Sequence, residues 1–180
     1  MQSLRGHLLI AGADLWDPNF RRTVVLVGHH DGEGAVGVVL NRSTEVAVDE
    51  AVPPLAELVA PGERLFVGGP VQPQAAVVVA DFEQPERAEV LALSTIGFLP
   101  EEAELEDVGG IRRARIFAGY AGWGPGQLEE ELETDSWVVE PARPDDVFTP
   151  TPERLWGDVL RRKGPAYDLL RLMPDDPTMN

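Results

Sequence analysis

Three short apolar runs near the start of the chain limit most strongly how it can fold. They are rich in Val, Leu and Ile, end at turn residues, and span residues 7–12, 23–29 and 35–41. Runs of this length and composition between turn signals predict β-strands. Asp31-Gly32 and Gly34 separate the second and third runs, and Asp-Gly supplies the positive φ that a tight turn requires. We therefore predict a β-hairpin at this point.

Later segments continue the strand pattern and then add helices. Further strands are predicted at residues 65–67, 75–80, 90–94, 113–120 and 137–139. Helical spacing, acidic content or turn composition predicts helices or short helical connectors at 50–59, 101–107, 124–133, 153–163 and 166–172. Because strands dominate early and helices late, the pattern favours an α+β fold with a mixed sheet over regular βαβ winding.

The length of 180 residues fits one domain with a substantial hydrophobic core. Since no low-complexity linker divides the chain, we assign residues 1–173 to this domain and 174–180 to a loose C-terminal tail. Four tryptophans provide a test of the predicted core. We expect Trp123, Trp137 and Trp156 to be largely buried, and Trp16, beside Asp17-Pro18, to be more exposed.

Charge and composition exclude several classes of function. Fifteen basic and 31 acidic residues give a net charge of −16, which opposes the phosphate contacts on which DNA binding depends. The absence of cysteine excludes disulfides, thiolate nucleophiles and Cys-type metal sites. No apolar stretch approaches the roughly 18 residues that span a bilayer, and the start lacks a signal-peptide core. We therefore expect a cytoplasmic protein without nucleic-acid or membrane partners.

Common catalytic signatures are also missing. The chain has no GxxxxGK[ST], no GxGxxG after a strand, no HExxH and no GxSxG. His29 and His30 are adjacent on a predicted strand, so they point to opposite faces and cannot easily share a metal ion. The acidic residues of the helix at 124–133 are interpreted as a solvated face near a helix N-terminus; they are Glu129, Glu130, Glu131 and Glu133. We assign no catalytic residue, metal or cofactor.

Two glycine-containing motifs lie at predicted strand ends. Residues 34–42 form a strand that ends in Asn41, whose amide is suited to brace a neighbouring loop or to contact a ligand. Gly68-Gly69-Pro70 follows another strand and makes an abrupt turn. Such a turn either connects two strands or presents backbone N–H groups to an anion.

A third motif lies at residues 119–129, where a strand is predicted to end in a glycine-rich turn and a helix to begin at Pro125. Its candidate binding or structural residues are Gly122, Trp123, Gly126, Gln127 and Glu129, with Glu131 following on the helix. Gln127 and Glu131 share one helix face because they are four residues apart.

These motifs, with Leu8-Leu9-Ile10-Ala11 and Asp17-Pro18-Asn19-Phe20 before them and Trp137 after them, resemble in their order the YqgE/AlgH family of bacterial proteins. The resemblance covers nearly the whole chain. It implies a mixed, forked β-sheet with a small barrel-like part surrounded by helices. Family members often carry a Leu-His pair on the strand after the Gly-Gly-Pro turn. This chain has Val79-Ala80 there, so the histidine is missing.

The resemblance brings a family label of transcriptional regulation, but the sequence has no helix-turn-helix pattern. We favour a non-enzymatic regulatory or adaptor protein that binds a protein or a small molecule. The alternative is an enzyme or nucleotide-binding protein with its site at the glycine-rich turns. If the three motifs form one site, Asn41, Gly69 and Gln127 lie near one another. If they serve only the fold, each braces its own loop.

Overall fold

The computed structural model describes residues 2–100, 104–107 and 109–173. The predicted tail at 174–180 and the start of the acidic connector at 101–103 lie outside these ranges. Ten strands form within them: β1 His7–Ala11, β2 Val24–Asp31, β3 Gly34–Val39, β4 Ser43–Ala47, β5 Arg64–Val67, β6 Val71–Phe82, β7 Val90–Leu93, β8 Ile96–Phe98, β9 Ile111–Trp123 and β10 Trp137–Pro141.

Five helices accompany the strands, and most are short. They are α1 Val48–Ala51, α2 Gln127–Glu133, α3 Pro144–Val147, α4 Pro152–Lys163 and α5 Asp168–Arg171. Short 3₁₀ helices lie at Pro53–Leu58, Pro85–Arg87, Leu105–Asp107 and Pro165–Tyr167. In the described part of the chain, no helix is both long enough and apolar enough to cross a membrane.

The strands form one mixed, forked sheet. Its main path runs β10-β1-β2-β3-β9-β6-β8-β7, and all of these neighbours are antiparallel. A branch leaves this path at β9, which pairs in parallel with β5, while β5 pairs with β4. The sheet is open and is not closed into a barrel. The expected α+β class, single domain and mixed sheet are confirmed.

The predicted hairpin is confirmed, because Asp31 of β2 stands opposite Gly34 of β3. The sequence analysis missed β4, β8 and the short helix α3, and it made β6 and β9 too short. The first half of β6 contains Gln72, Pro73 and Gln74, which are exposed and break the apolar pattern on which the prediction rested.

The prediction for the third motif is wrong in two respects. Strand β9 does not end before Gly122 but continues to Trp123, because β3 pairs with residues 121–123. Helix α2 begins at Gln127, not around Pro125. Gly126, just before it, has a φ of 76°, a left-handed conformation that cannot form part of a right-handed helix.

Both faces of the central strands are buried. Alternate residues of β1 and β2 pack on opposite faces: Leu8 and Leu26 lie in the cluster that contains α4, and Leu9 and Val25 lie in the cluster that contains the Trp123 and Trp137 side chains. Helix α4 buries the face that its spacing predicts, namely Leu155, Trp156, Val159 and Leu160. This burial on both faces explains the continuous apolar runs in the sequence.

The tryptophan prediction is confirmed. Trp123, Trp137 and Trp156 are 6%, 4% and 7% exposed, whereas Trp16 is 39% exposed. The Trp123 and Trp137 rings meet edge to face at 6.0 Å, and Phe20 lies 5.7 Å from Trp137. Aromatic pairs in this arrangement add to the stability gained from burial alone.

Replacing Trp137 by alanine should lower the free energy of unfolding by about 3–5 kcal/mol, because a large side chain leaves a packed cluster. The matched control is Trp16→Ala, which removes the same side chain from a partly exposed position. Chemical denaturation measures both variants. Equal losses for the two variants would show that the aromatic cluster does not carry this stability.

Candidate functional site

The glycine-rich motifs meet at the fork of the sheet. One edge of β9 pairs with β6, and the other edge pairs first with β5 at residues 117–118 and then with β3 at 121–123. Gly68 lies between the two branches: its N–H donates to the carbonyl of Ala118 at 2.9 Å, and its own carbonyl accepts from the N–H of Val39 at 2.8 Å. The motifs are therefore joined through their backbones.

Gly69 allows this close approach. Its φ is 154°, and a Cβ atom added to it would overlap the backbone of Tyr120 and Ala121. No other residue fits in this position without moving β9. Pro70 then leads into β6. The Gly-Gly-Pro turn thus connects two strands and packs its backbone against β9.

Asn41 and Gln127 brace separate loops. The Asn41 amide accepts a hydrogen bond from the N–H of Val24 at 2.9 Å and donates one to the carbonyl of Arg22 at 2.9 Å, which fixes the start of β2. The Gln127 side-chain oxygen accepts from the N–H of Gly124 at 3.0 Å, which holds the turn before α2. These side chains act locally, although the backbones of their motifs are joined.

Glu129 connects α2 to a buried histidine. His30 accepts a hydrogen bond at Nδ1 from the N–H of Leu4 (3.0 Å), so its proton lies on Nε2 and is donated to the Glu129 carboxylate at 2.6 Å. This hydrogen bond lowers the pKa of Glu129 from its usual value. Below the usual carboxyl range Glu129 becomes protonated, and the stability that its charged form contributes is lost.

Glu131 is also engaged, since its carboxylate accepts a hydrogen bond from the indole N–H of Trp137 at 3.1 Å. The expectation that the glutamates of α2 form one solvated face is therefore wrong for Glu129 and Glu131, and only Glu130 and Glu133 are exposed. The reason is the position of α2, which lies over the strand ends that carry His30 and Trp137. His29 and His30 do point to opposite faces: His29 is exposed and His30 is buried.

An apolar groove of about 310 Å³ opens where the pairing between β6 and β9 is irregular. Val71 pairs with Tyr120 and Ala76 with Ala118, so five steps along β6 match only two along β9, and the intervening residues of β6 form an irregular segment. The groove lies between this segment and the β2–β3 hairpin. Its walls are Gly28, His29, Val36, Gln72, Ala75, Ala76, Val77, Glu89, Val90, Phe98, Leu99 and Tyr120.

Packing of β2 against β8 shapes one side of the groove. The register of β2 shifts between Val27 and His29, which makes Gly28 a bulge. The ring of Phe98 occupies the place that a Cβ atom of Gly28 would take. On the opposite strand, Val36 faces Gly122 of β9, one of the residues that the sequence analysis selected. The candidate motif therefore borders the groove.

Few polar groups line the groove. The His29 imidazole is hydrogen-bonded to the Asp31 carboxylate, with 2.8 Å between Nε2 and Oδ2. The pKa of Asp31 is lowered, first by a hydrogen bond from the N–H of Glu33 and then by His29. Glu89 is anchored through its backbone, where its N–H donates to the carbonyl of Phe98 at 2.9 Å, and its side chain is exposed.

The sequence analysis did not find this groove. Its wall residues come from six strands and are mostly ordinary apolar types, so no local motif marks them. The one available signal was the interruption of the β6 pattern by Gln72, Pro73 and Gln74. Among the residues that the structure describes, no three His, Asp or Glu side chains are grouped in a way that could hold a metal ion.

Comparison with known proteins identifies the family. A family model described as AlgH-like matches residues 8–168, and this chain belongs to that family. A UPF0301 protein of Streptomyces coelicolor is 44% identical over 187 residues, covering 100% of this chain and 97% of the relative. A UPF0301 protein of Mycobacteroides abscessus is 39% identical, covering 97% of this chain and 87% of the relative.

Solved structures show the same fold. The crystal structure of protein DIP2367 from Corynebacterium diphtheriae superposes with a TM-score of 0.82 at 32% identity, covering 93% of this chain and 91% of that one. The solution structure of the AlgH protein from Pseudomonas aeruginosa gives a TM-score of 0.72 at 29% identity, covering 96% and 95%.

The role of the fork can be tested at Gly69. We expect Gly69→Ala to lower the free energy of unfolding by about 3 kcal/mol, because the new methyl group collides with backbone that cannot move aside. Gly32→Ala is the matched control, since a Cβ atom at Gly32 meets open space. Denaturant midpoints compare the two. A Gly69 variant as stable as the Gly32 variant would contradict the proposed packing at the fork.

Proposed function

We propose that this protein is a non-enzymatic regulatory or adaptor protein that acts by binding a ligand in the groove between β6 and the β2–β3 hairpin. The observation that carries the proposal is the groove itself. Its volume of about 310 Å³ and its largely apolar walls are typical of sites that bind small molecules or a short segment of a partner. We also propose that the protein acts in the cytoplasm.

The chemistry of the groove supports binding rather than catalysis. His29 and Asp31 are paired as a histidine general base and its carboxylate partner are in many enzymes. The described residues of the groove wall, however, include no Ser, Thr, Cys or Lys that His29 could activate as a nucleophile. Of the glycine-rich turns, which were the alternative location for an enzymatic or nucleotide site, the Gly-Gly-Pro turn is packed against the backbone of β9.

Charge supports a role without direct DNA contact. The sequence has two clusters of basic residues, Arg112, Arg113 and Arg115, and Arg161, Arg162 and Lys163, and members of both contact carboxylates. Arg112 pairs with Asp81, and Arg115 lies 3.5 Å from Glu63. In the second cluster, Arg162 binds Asp146 at 2.8 Å. These carboxylates reduce the positive potential that either cluster would offer to a phosphate backbone.

We expect the groove to bind an apolar probe. The neutral dye Nile red, whose emission rises in apolar surroundings, should bind this protein at one saturable site. Val36→Trp should weaken that binding at least about tenfold, because the larger side chain fills the groove. Val46→Trp is the matched control, since Val46 is similarly exposed, at 43% against 39%, but is not part of the groove.

Undiminished dye binding by the Val36 variant would place the dye elsewhere and contradict the proposed site. Native mass spectrometry of protein isolated from its own host complements this experiment. It measures the mass of any small molecule that stays bound. The same Val36 variant should lose that mass, whereas the Val46 variant should keep it.

We also expect no specific binding to duplex DNA at about 150 mM salt, since the net charge of −16 repels phosphate. Fluorescence anisotropy with a labelled genomic duplex library at submicromolar protein measures this. Salt-sensitive binding that is abolished by neutralising Arg161, Arg162 and Lys163, or Arg112, Arg113 and Arg115, would prove this expectation wrong.

A further inference from the structure

We infer that the ligand of the groove is a small organic cation, with an apolar body that fills the groove and an amine or similar cationic head at Glu89. This inference rests on the proposed function, because it specifies the chemistry of the ligand at the same site. Three features of the groove support it: its aromatic walls, the charge of its wall residues, and the field of the whole protein.

Two aromatic side chains line the groove, Phe98 and Tyr120, together with the aliphatic side chains of Val36, Val77 and Val90. Aliphatic and aromatic walls favour an apolar body. The face of an aromatic ring also attracts a positive charge, which makes such a wall more favourable for an organic cation than for an anion.

The groove wall contains one carboxylate, that of Glu89, and no permanently positive side chain. None of the described residues that line the groove is Lys or Arg, so an anionic ligand would meet no fixed positive charge. His29 is the one wall side chain that can become positive, and Asp31 already pairs with it at 2.8 Å. The site therefore offers no free cation for an acidic ligand.

Glu89, in contrast, is available. The ion pairs among the described residues do not include its carboxylate. The backbone of Glu89 is held in place, because its N–H donates a hydrogen bond to the carbonyl of Phe98 in β8. An exposed carboxylate on a residue of the groove wall is suited to receive the head of a ligand whose body lies in the groove.

The net charge of the chain acts in the same direction. A protein with a charge of −16 attracts cations and repels anions at distances up to about 10 Å at ordinary ionic strength. Long-range attraction therefore adds to the local preference at Glu89. An experiment on Glu89 therefore needs a control that separates the local contact from the effect of net charge.

Three ligands of nearly equal size test the inference: 3-phenylpropylammonium, the neutral 3-phenylpropan-1-ol and the anionic 3-phenylpropionate. Isothermal titration calorimetry at pH 7 should give the tightest binding for the cation and the weakest for the carboxylate. Glu89→Gln should weaken binding of the cation about three- to tenfold, the range expected for a partly exposed charge contact. Binding of the alcohol should change by less than about twofold.

Glu86→Gln is the matched control, since it removes the same charge from an exposed position that is not part of the groove wall. If both variants weaken the cation equally, the effect is that of net charge alone and the inference is wrong. Val36→Trp should block the cation. Cation binding that survives this change lies outside the groove and also overturns the inference.

The outcomes separate this inference from the proposed function. If the alcohol or the carboxylate binds as tightly as the cation, and Val36→Trp blocks it, the groove is a binding site but the ligand class is wrong. If none of the three ligands binds, the inference fails, and the Nile red experiment then decides independently whether the groove binds apolar molecules at all.

Discussion

Backbone pairing along β9 is the interaction on which the rest of the structure depends. This strand of 13 residues joins β6, β5 and β3, and thereby connects the N-terminal hairpin to the second half of the sheet. Two strands can share one of its edges only if their ends pass very close to it. Gly68 and Gly69 make that approach possible, since a side chain at either position would meet the backbone of β9.

The groove is a consequence of the same fork. Beyond Ala118, β9 pairs with β3 instead of β5. On its other edge, the register between β6 and β9 shifts between Val71 and Ala76. The space that results is bordered by the β2–β3 hairpin and by Phe98. Two of the motifs also contribute wall residues to this space, Val36 from the first and Tyr120 from the third, whereas Asn41 and Gln127 lie outside it. The side chains of Asn41 and Gln127 instead hold the loops next to their own strands, through hydrogen bonds to the N–H groups of Val24 and Gly124.

Sequence reasoning succeeded where one segment carries its own signal. The hairpin at Asp31–Gly34, the buried face of α4 and the burial of three tryptophans all follow from local spacing and composition. It failed where partners distant in sequence decide the outcome. β9 continues through Gly122 only because β3 pairs with it, and Glu129 leaves solvent only because His30 lies beneath α2. The groove needs six strands in place, so no single segment encodes it.

Pairing of β1 with β10 has a consequence for how the chain is made. Ala11 of β1 lies opposite Trp137, and its carbonyl also accepts a hydrogen bond from the indole of Trp156 at 3.0 Å. At about 5–20 residues per second, a ribosome releases Trp137 roughly 6–25 s after Ala11. Throughout that interval one edge of an apolar strand has no partner, and such edges recruit other strands. Until β10 is synthesised, this edge of β1 is therefore a part of the nascent chain that is open to pairing with other strands.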